Sequence, residues 1–278
     1  MSDSSGRHAT AARRGRVALF GSGETSRVGR RVHELLLADY PRPVPVAILE
    51  TPAGFQPNVA VLSDKVRHFF EHNLQNAKPR VTIVPARRRG DGPHGADDPA
   101  VAAGLHDACY VFAGAGSPTY AVTHLSDTRL WRAIGERLDG GATLAFASAM
   151  ALAVGTYTLP VYEIFKVGTD PYWAPGLGLL AELGLDLAVV PHWNNTEGGA
   201  ELDTGHCYMG AARFERLRAQ LPSTAVVLGI DEHTVCVIDL HADLATVHGH
   251  GAVTVCRGSE TTSYPPGASL SLSTLRRA

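Results

Sequence analysis

The chain has 278 residues, 45% hydrophobic and 19% charged, with 25 Lys+Arg against 27 Asp+Glu. These proportions exclude a wholly disordered chain, and a net charge of −2 with a pI near 6.7 argues against a broad nucleic-acid surface, which needs a basic excess. No apolar run approaches the ~20 residues of a bilayer span, and residues 1–16 lack the apolar segment of a secretory signal. The expectation is a flexible tail over residues 1–15 and one domain over residues 16–278, in the cytoplasm, with neither membrane nor nucleic acid as partner. Of four cysteines, Cys109, Cys236 and Cys256 lie in apolar β-like runs and Cys207 lies in a polar loop beside His206. Without a C-x-x-C pair they read as reduced, non-catalytic thiols.

Strands and helices alternate along the first half. Arg16–Phe20 is a short apolar run that ends in Gly21-Ser22-Gly23-Glu24-Thr25, and Val28, Val32, Leu35 and Leu36 then recur at helical spacing. Residues 44–49 form the next strand, broken by Thr51-Pro52-Ala53-Gly54. Val59, Leu62, Val66, Phe69, Phe70 and Leu74 mark an amphipathic helix. Arg80–Val84 is the third strand, and the charged, Gly-rich residues 87–98 read as a surface loop. Residues 109–113 and Thr143–Ala147 are the fourth and fifth strands, separated by a helix carrying Leu130, Ile134 and Leu138. Five short apolar strands alternating with helices predict a mostly parallel sheet with helices on both faces, a three-layer α/β/α sandwich. In the second half, residues 185–190 form a strand, 192–207 a long polar loop and 209–221 a helix. Residues 225–230, 234–240, 245–248 and 252–256 then predict antiparallel hairpins on the end of the parallel sheet.

A parallel sheet binds ligands at the carboxyl ends of its strands. The segments there are 21–25, 51–54, 114–117, 148–151 and 191–195, several of them built of Gly or small residues that let a ligand approach the backbone. The first turn lacks the final glycine of G-x-G-x-x-G, and no G-x-x-x-x-G-K-[ST] occurs, so a nucleotide site is not favoured. Ser148 is the informative residue. Ala147-Ser148-Ala149-Met150-Ala151 joins a buried strand to a segment able to continue as a helix, the context of a nucleophile elbow; a serine there is equally a plain helix cap.

As an ordered series, the motifs resemble peptidase family S51, the cyanophycinase and aspartyl dipeptidase group, whose fold is that of the class I glutamine amidotransferases. Gly21-Ser22-Gly23-Glu24 resembles the family's first glycine turn. Phe112-Ala113-Gly114-Ala115 resembles its oxyanion segment, and Ala147-Ser148-Ala149-Met150-Ala151 falls where the family has G-x-S-A-G-A. Gly176-Leu177-Gly178-Leu179-Leu180 with Pro191-His192-Trp193, the helix Arg213-Phe214-Glu215-Arg216-Leu217, and Gly229-Ile230-Asp231-Glu232 complete the series over roughly residues 16–257.

The resemblance implies a serine hydrolase acting on a small peptide or amide. Ser148 is then the nucleophile, His192 the base and Glu163 the acid, with Glu24, Glu197 and Asp231 as rival carboxylates. Ala115 and Ala149 supply the oxyanion amides, and Glu24, Gly114, Gly116, Ser117, Asn194, Asn195, Glu197 and Arg213 form the substrate site. No cofactor or metal is implied, and a homodimer is compatible with the pattern. The chain departs from the family at Met150, at Gly116-Ser117, and in residues 192–203, which replace a short arginine-bearing link. Three other readings differ in their chemistry. A glutamine amidotransferase wants cysteine at the elbow. A non-catalytic ligand-binding relative would tolerate the Ala and Met substitutions. A metal hydrolase would draw on His192, His206 and Glu197 or on His248 and His250, without an H-E-x-x-H.

Overall fold

A computed structural model describes residues 14–276. Fourteen strands among them divide between two sheets. The first half supplies β1 (Arg16–Phe20), β2 (Pro45–Leu49), β3 (Arg80–Val84), β4 (Tyr110–Ala113) and β5 (Thr143–Ala147), which run parallel in the order β1-β5-β4-β2-β3. Their residues alternate between two buried clusters. Val17, Leu19, Val111, Leu144 and Phe146 pack with Leu130, Ile134 and Leu138 of the helix Arg129–Asp139. Ala18, Phe20, Val46, Ile48, Tyr110 and Phe112 pack with Val32 and Leu36 of α1 (Arg27–Leu37) and with Phe69 and Phe70 of α2 (Val59–Asn73). Burial on both faces explains why β1, β2, β4 and β5 read as continuous apolar runs, whereas β3, at the edge, is largely exposed.

The second half follows a different plan from the single sheet expected. The strands Tyr157–Thr158 (β6), Ala174–Pro175 (β7), Leu187–Val190 (β8), Val226–Ile230 (β9), Val253–Arg257 (β12) and Glu260–Tyr264 (β13) form a second sheet, ordered β13-β12-β9-β8-β6-β7. Thr234–Asp239 (β10), Leu244–Gly249 (β11) and Ser269–Ser271 (β14) extend the first sheet, with β10 antiparallel to β1. After β9 the chain therefore changes sheet three times, between β9 and β10, between β11 and β12, and between β13 and β14, and the first two of these crossings lie side by side. The two crossings clasp each other: Ala252 N donates to Asp231 Oδ2 at 2.8 Å and Gly251 N donates to Thr234 Oγ1 at 2.9 Å. A Cβ on Gly249, at φ +113°, would lie 2.2 Å from His233 O. Strand periodicity reports which face a side chain occupies and is silent on which sheet accepts the strand.

One face of the second sheet (Leu187, Val189, Leu228, Val255) joins the same buried cluster as the first. The other face packs Ala188, Val190 and Val227 against Phe214 and Leu217 of the helix Gly210–Arg218. Of the expected tail, residues 1–13 lie outside the described residues; Gly15 is already fastened, its N donating to Leu138 O at 2.8 Å.

Candidate active site

Ser148 ends β5 and begins the short helix Ala149–Ala153. Its backbone sits at φ +49°, ψ −114°, a conformation that costs an L-residue energy and persists only where the surroundings enforce it. The side chain caps nothing in the helix. Its Oγ instead lies 3.1 Å from His192 Nε2. The hydroxyl thus faces the imidazole and not the amides of the helix's first turn.

His192 follows β8, at φ +50°, and is held by its main chain: His192 N donates to Gly21 O at 3.1 Å, and the amides of Asn195 and Cys207 both donate to His192 O. On the far side of the imidazole, Nδ1 lies 3.0 Å from Glu232 Oε1. With Glu232 accepting from Nδ1–H, the lone pair of Nε2 faces the Ser148 hydroxyl. Glu232 is itself oriented twice, because Asn195 Nδ2 donates to Oε1 at 2.9 Å and Glu232 N donates to Asn194 Oδ1 at 2.8 Å. Burial acts to raise the Glu232 carboxyl pKa, but the hydrogen bonds from His192 and Asn195, together with the charges of His192 and His233, outweigh it and hold the group below its ordinary value.

The acid beside His192 is thus Glu232 rather than Glu163. Glu163 opens a π-helical turn, Glu163–Val167, and its Oε1 accepts from Thr119 Oγ1 at 2.6 Å, on the wall of a neighbouring cavity. Two of the three rivals are also engaged elsewhere, and the third, Glu197, lines the Ser148 cavity without a hydrogen bond to His192. Asp231 Oδ2 accepts the Ala252 amide, and Glu24 lines a third cavity with Gly114 and Ala115. Asn194 and Asn195, expected to touch substrate, serve Glu232. The glycine turn after β1 makes room for the same carboxylate. A Cβ on Gly21 would stand 2.0 Å from Asp231 O, and His233 N donates to Ser22 Oγ at 3.1 Å. The turn is small because the strand connection that carries Glu232 packs directly on it.

Ser148 and His192 open into a cavity of about 310 Å³, walled by Gly116, Ala149, Leu152, Val161, Tyr162, Phe165, Lys166, Glu197 and Tyr208, among others. Of the two expected oxyanion residues, Ala149 lies on this wall, whereas Ala115 lines the adjacent cavity and Gly116 takes its place here. Gly116 is held at φ +154° with Pro52 O only 1.8 Å from where a Cβ would stand, so no other residue fits. Met150 is fully buried in the core and leaves the space beside Ser148 open. Ser117 caps the helix Pro118–Leu125 and lies 3.0 Å from Thr119 Oγ1. Arg213 does not line the cavity; its guanidinium lies 6.0 Å from the centre of the Phe165 ring, which does. Cys207 is buried and also borders the cavity; burial, with Glu232 nearby, pushes its thiol up to about 12, which disfavours the thiolate. No cluster of three or more His, Cys, Asp or Glu placed to hold a metal ion occurs among the described residues.

The missed residue, Glu232, had a signal in the sequence. It closes Gly229-Ile230-Asp231-Glu232 at the end of a strand, but strand alternation cannot show that the chain then crosses to the other sheet and turns this carboxylate toward His192.

The fold defines a class: a mixed α/β chain with two sheets, the first parallel over β1 to β5, and a hydroxyl–imidazole–carboxylate line drawn from the carboxyl ends of β5 in the first sheet and of β8 and β9 in the second. No protein-family model matches the sequence, and no curated protein matches it. Among solved structures, that of a peptidase from an acI-B1 actinobacterium superposes with a TM-score of 0.73, at 22% identity, over 94% of this chain and 98% of the other. A Listeria monocytogenes EGD-e protein provisionally called peptidase E gives a TM-score of 0.51 at 13% identity, over 91% of this chain and 98% of its own. The chain has the fold of these peptidases.

Proposed function

We propose that the protein is a serine hydrolase that cleaves a small peptide or amide, with Ser148 as nucleophile, His192 as general base and acid, and Glu232 as the acid that orients it. The observation that carries this reading is the unbroken line from Ser148 Oγ to His192 Nε2 (3.1 Å) and from Nδ1 to Glu232 Oε1 (3.0 Å). The peptidase fold of the neighbours supports it.

In the reaction, Ser148 Oγ attacks the scissile carbonyl while its proton passes to Nε2. Glu232 accepts from Nδ1–H throughout and stabilises the imidazolium without taking the proton. Ala149 and Gly116 are the residues on the Ser148 wall whose amides would meet the developing oxyanion. The imidazolium then protonates the leaving amine, and water, deprotonated by the same nitrogen, cleaves the acyl-enzyme. The strained φ of Ser148 serves this chemistry by aiming Oγ out of the helix and at the base.

The test is steady-state hydrolysis of a panel of aspartyl and non-aspartyl dipeptides by wild type, Ser148→Ala, His192→Ala and the double variant. Each single variant loses about three or more orders of magnitude in kcat with its fold intact, and the double variant is hardly worse, because the two residues act as a unit. A Ser148→Ala protein fully active on a substrate that wild type cleaves would end this reading.

A further inference from the structure

The loop after His192 contributes one group that the Ser148–His192–Glu232 line does not use. Glu197 lies on the wall of the same cavity, and its position is fixed from two directions. The Tyr208 hydroxyl donates to Oε2 at 2.8 Å, and Glu197 N donates to Oδ1 of the buried Asn195 at 3.1 Å. Among the described residues, Oε1 receives no hydrogen bond and no cation stands within ion-pair distance of the carboxylate. Tyr208 is the last of three successive left-handed residues, His206, Cys207 and Tyr208, at φ +53°, +58° and +67°. That strained turn is pinned to the His192 and Trp193 carbonyls. The backbone that positions the base therefore also positions Glu197.

The surrounding wall is aromatic. The Phe165 ring lies 5.3 Å from that of Tyr208, and Tyr162 lines the cavity with them. A neutral hydroxyl donating to one oxygen leaves the negative charge in place and the second oxygen free. A carboxylate so presented beside aromatic faces complements an ammonium group, which forms a charge-assisted hydrogen bond with the oxygen while its methylenes lie on the rings. Lys166, without a carboxylate partner among the described residues, gives the cavity one charge of the other sign; its Nζ lies 5.0 Å from the Phe165 centroid.

Building on the serine-hydrolase reading, we propose that Glu197 is a specificity-determining residue that receives an ammonium group of the substrate, so that the preferred peptide or amide carries an amine near its scissile carbonyl. An α-amino group and the amine of a lysine-like side chain both supply this chemistry.

The experiment measures covalent labelling rates with matched fluorophosphonates, so no natural substrate is required. One probe is neutral, one carries a carboxylate, one an amine on the carbon next to phosphorus, and one an amine at the end of a four-carbon chain. In each case the Ser148 Oγ–P bond forms, the P–F bond breaks, fluoride leaves and the hydroxyl proton passes to His192. Wild type is labelled about tenfold faster by one of the two ammonium probes than by the neutral one, and the faster of the two identifies the source of the amine. In Glu197→Gln this ratio falls to about one and the carboxylate probe gains, because Lys166 is then the remaining charge on the wall. Glu201→Gln, an exposed change in the same loop but outside the cavity, keeps the wild-type ratio. If the neutral probe labels Ser148 but neither amine accelerates the reaction, or if the preference survives in Glu197→Gln, the assignment of Glu197 is overturned while the serine reading stands. If no probe labels the folded wild type, the serine reading falls and this inference falls with it.

Discussion

Replacing Glu232 by Gln separates the acid that the structure puts beside His192 from the one the sequence favoured. The amide keeps an oxygen for Nδ1–H and for Asn195 Nδ2, so the imidazole retains its tautomer and orientation. What disappears is the negative charge facing the imidazolium that forms during attack. Charge centres about 4 Å apart at an effective dielectric near 20 interact by about 4 kcal/mol. The Glu232 side chain is 28% exposed, so solvent screening brings this to about 3 kcal/mol, or roughly two orders of magnitude in rate. The assay is the second-order rate of fluorophosphonate labelling at Ser148, beside kcat/KM on any dipeptide that is cleaved. Glu163→Gln keeps its hydrogen bond from Thr119 and changes either rate by less than about twofold. Wild-type rates in Glu232→Gln, with the loss appearing instead in Glu163→Gln, would refute this assignment.

Two further outcomes follow from the backbone and from the core. Ser148→Gly relieves the positive φ that Ser148→Ala retains, so the glycine variant is the more stable of the two by about 1 kcal/mol in urea unfolding, while both lose labelling; equal stabilities would remove the argument for strain. His33 is fully buried among Phe20, Phe69, Phe70, Tyr110 and Phe112, with Tyr110 hydroxyl at Nδ1 and the Glu24 carbonyl at Nε2, and burial pushes its imidazole down to about 4. Protons are then taken up preferentially by the unfolded chain, so this group's contribution is complete above pH 6.5, is lost as the pH falls toward 4 and is flat below that. Compared with His33→Phe, wild type loses about 2 kcal/mol of unfolding free energy between pH 7 and pH 5, and an unchanged difference would contradict a neutral buried imidazole.

The parallel half of the fold was legible because all its strands but the edge strand β3 are buried on both faces, which writes them as uninterrupted apolar runs separated by helical spacing. Ser148 was legible for a related reason: a hydroxyl between a buried strand and a small-residue segment has few places to go. His192 was found from the strand before it together with a family resemblance. The second sheet was not legible, because β9 and β10 carry the same alternating pattern whether they pair with each other or, as here, with different sheets. Glu232 was lost with that crossing. Arg87 shows the same limit on a smaller scale: in a run of three arginines it reads as part of a solvated loop, yet its Nε lies 2.7 Å from the buried carboxylate of Glu50. Asn194, Asn195 and the glycine turn that begins at Gly21 have hydrogen bonds and contacts that the sequence did not announce. Polar or small residues at the ends of strands suggest contact with a ligand, and here they hold or make room for the carboxylate that lies beside His192.

Activation of Ser148 as a nucleophile is tested by labelling the folded wild-type protein with a neutral fluorophosphonate and mapping the modified peptide. The expected result is one adduct per chain, located at Ser148 in the peptide between Arg137 and Lys166, and absent from Ser148→Ala and His192→Ala. An adduct on another residue, or none on the folded wild-type protein, would contradict it.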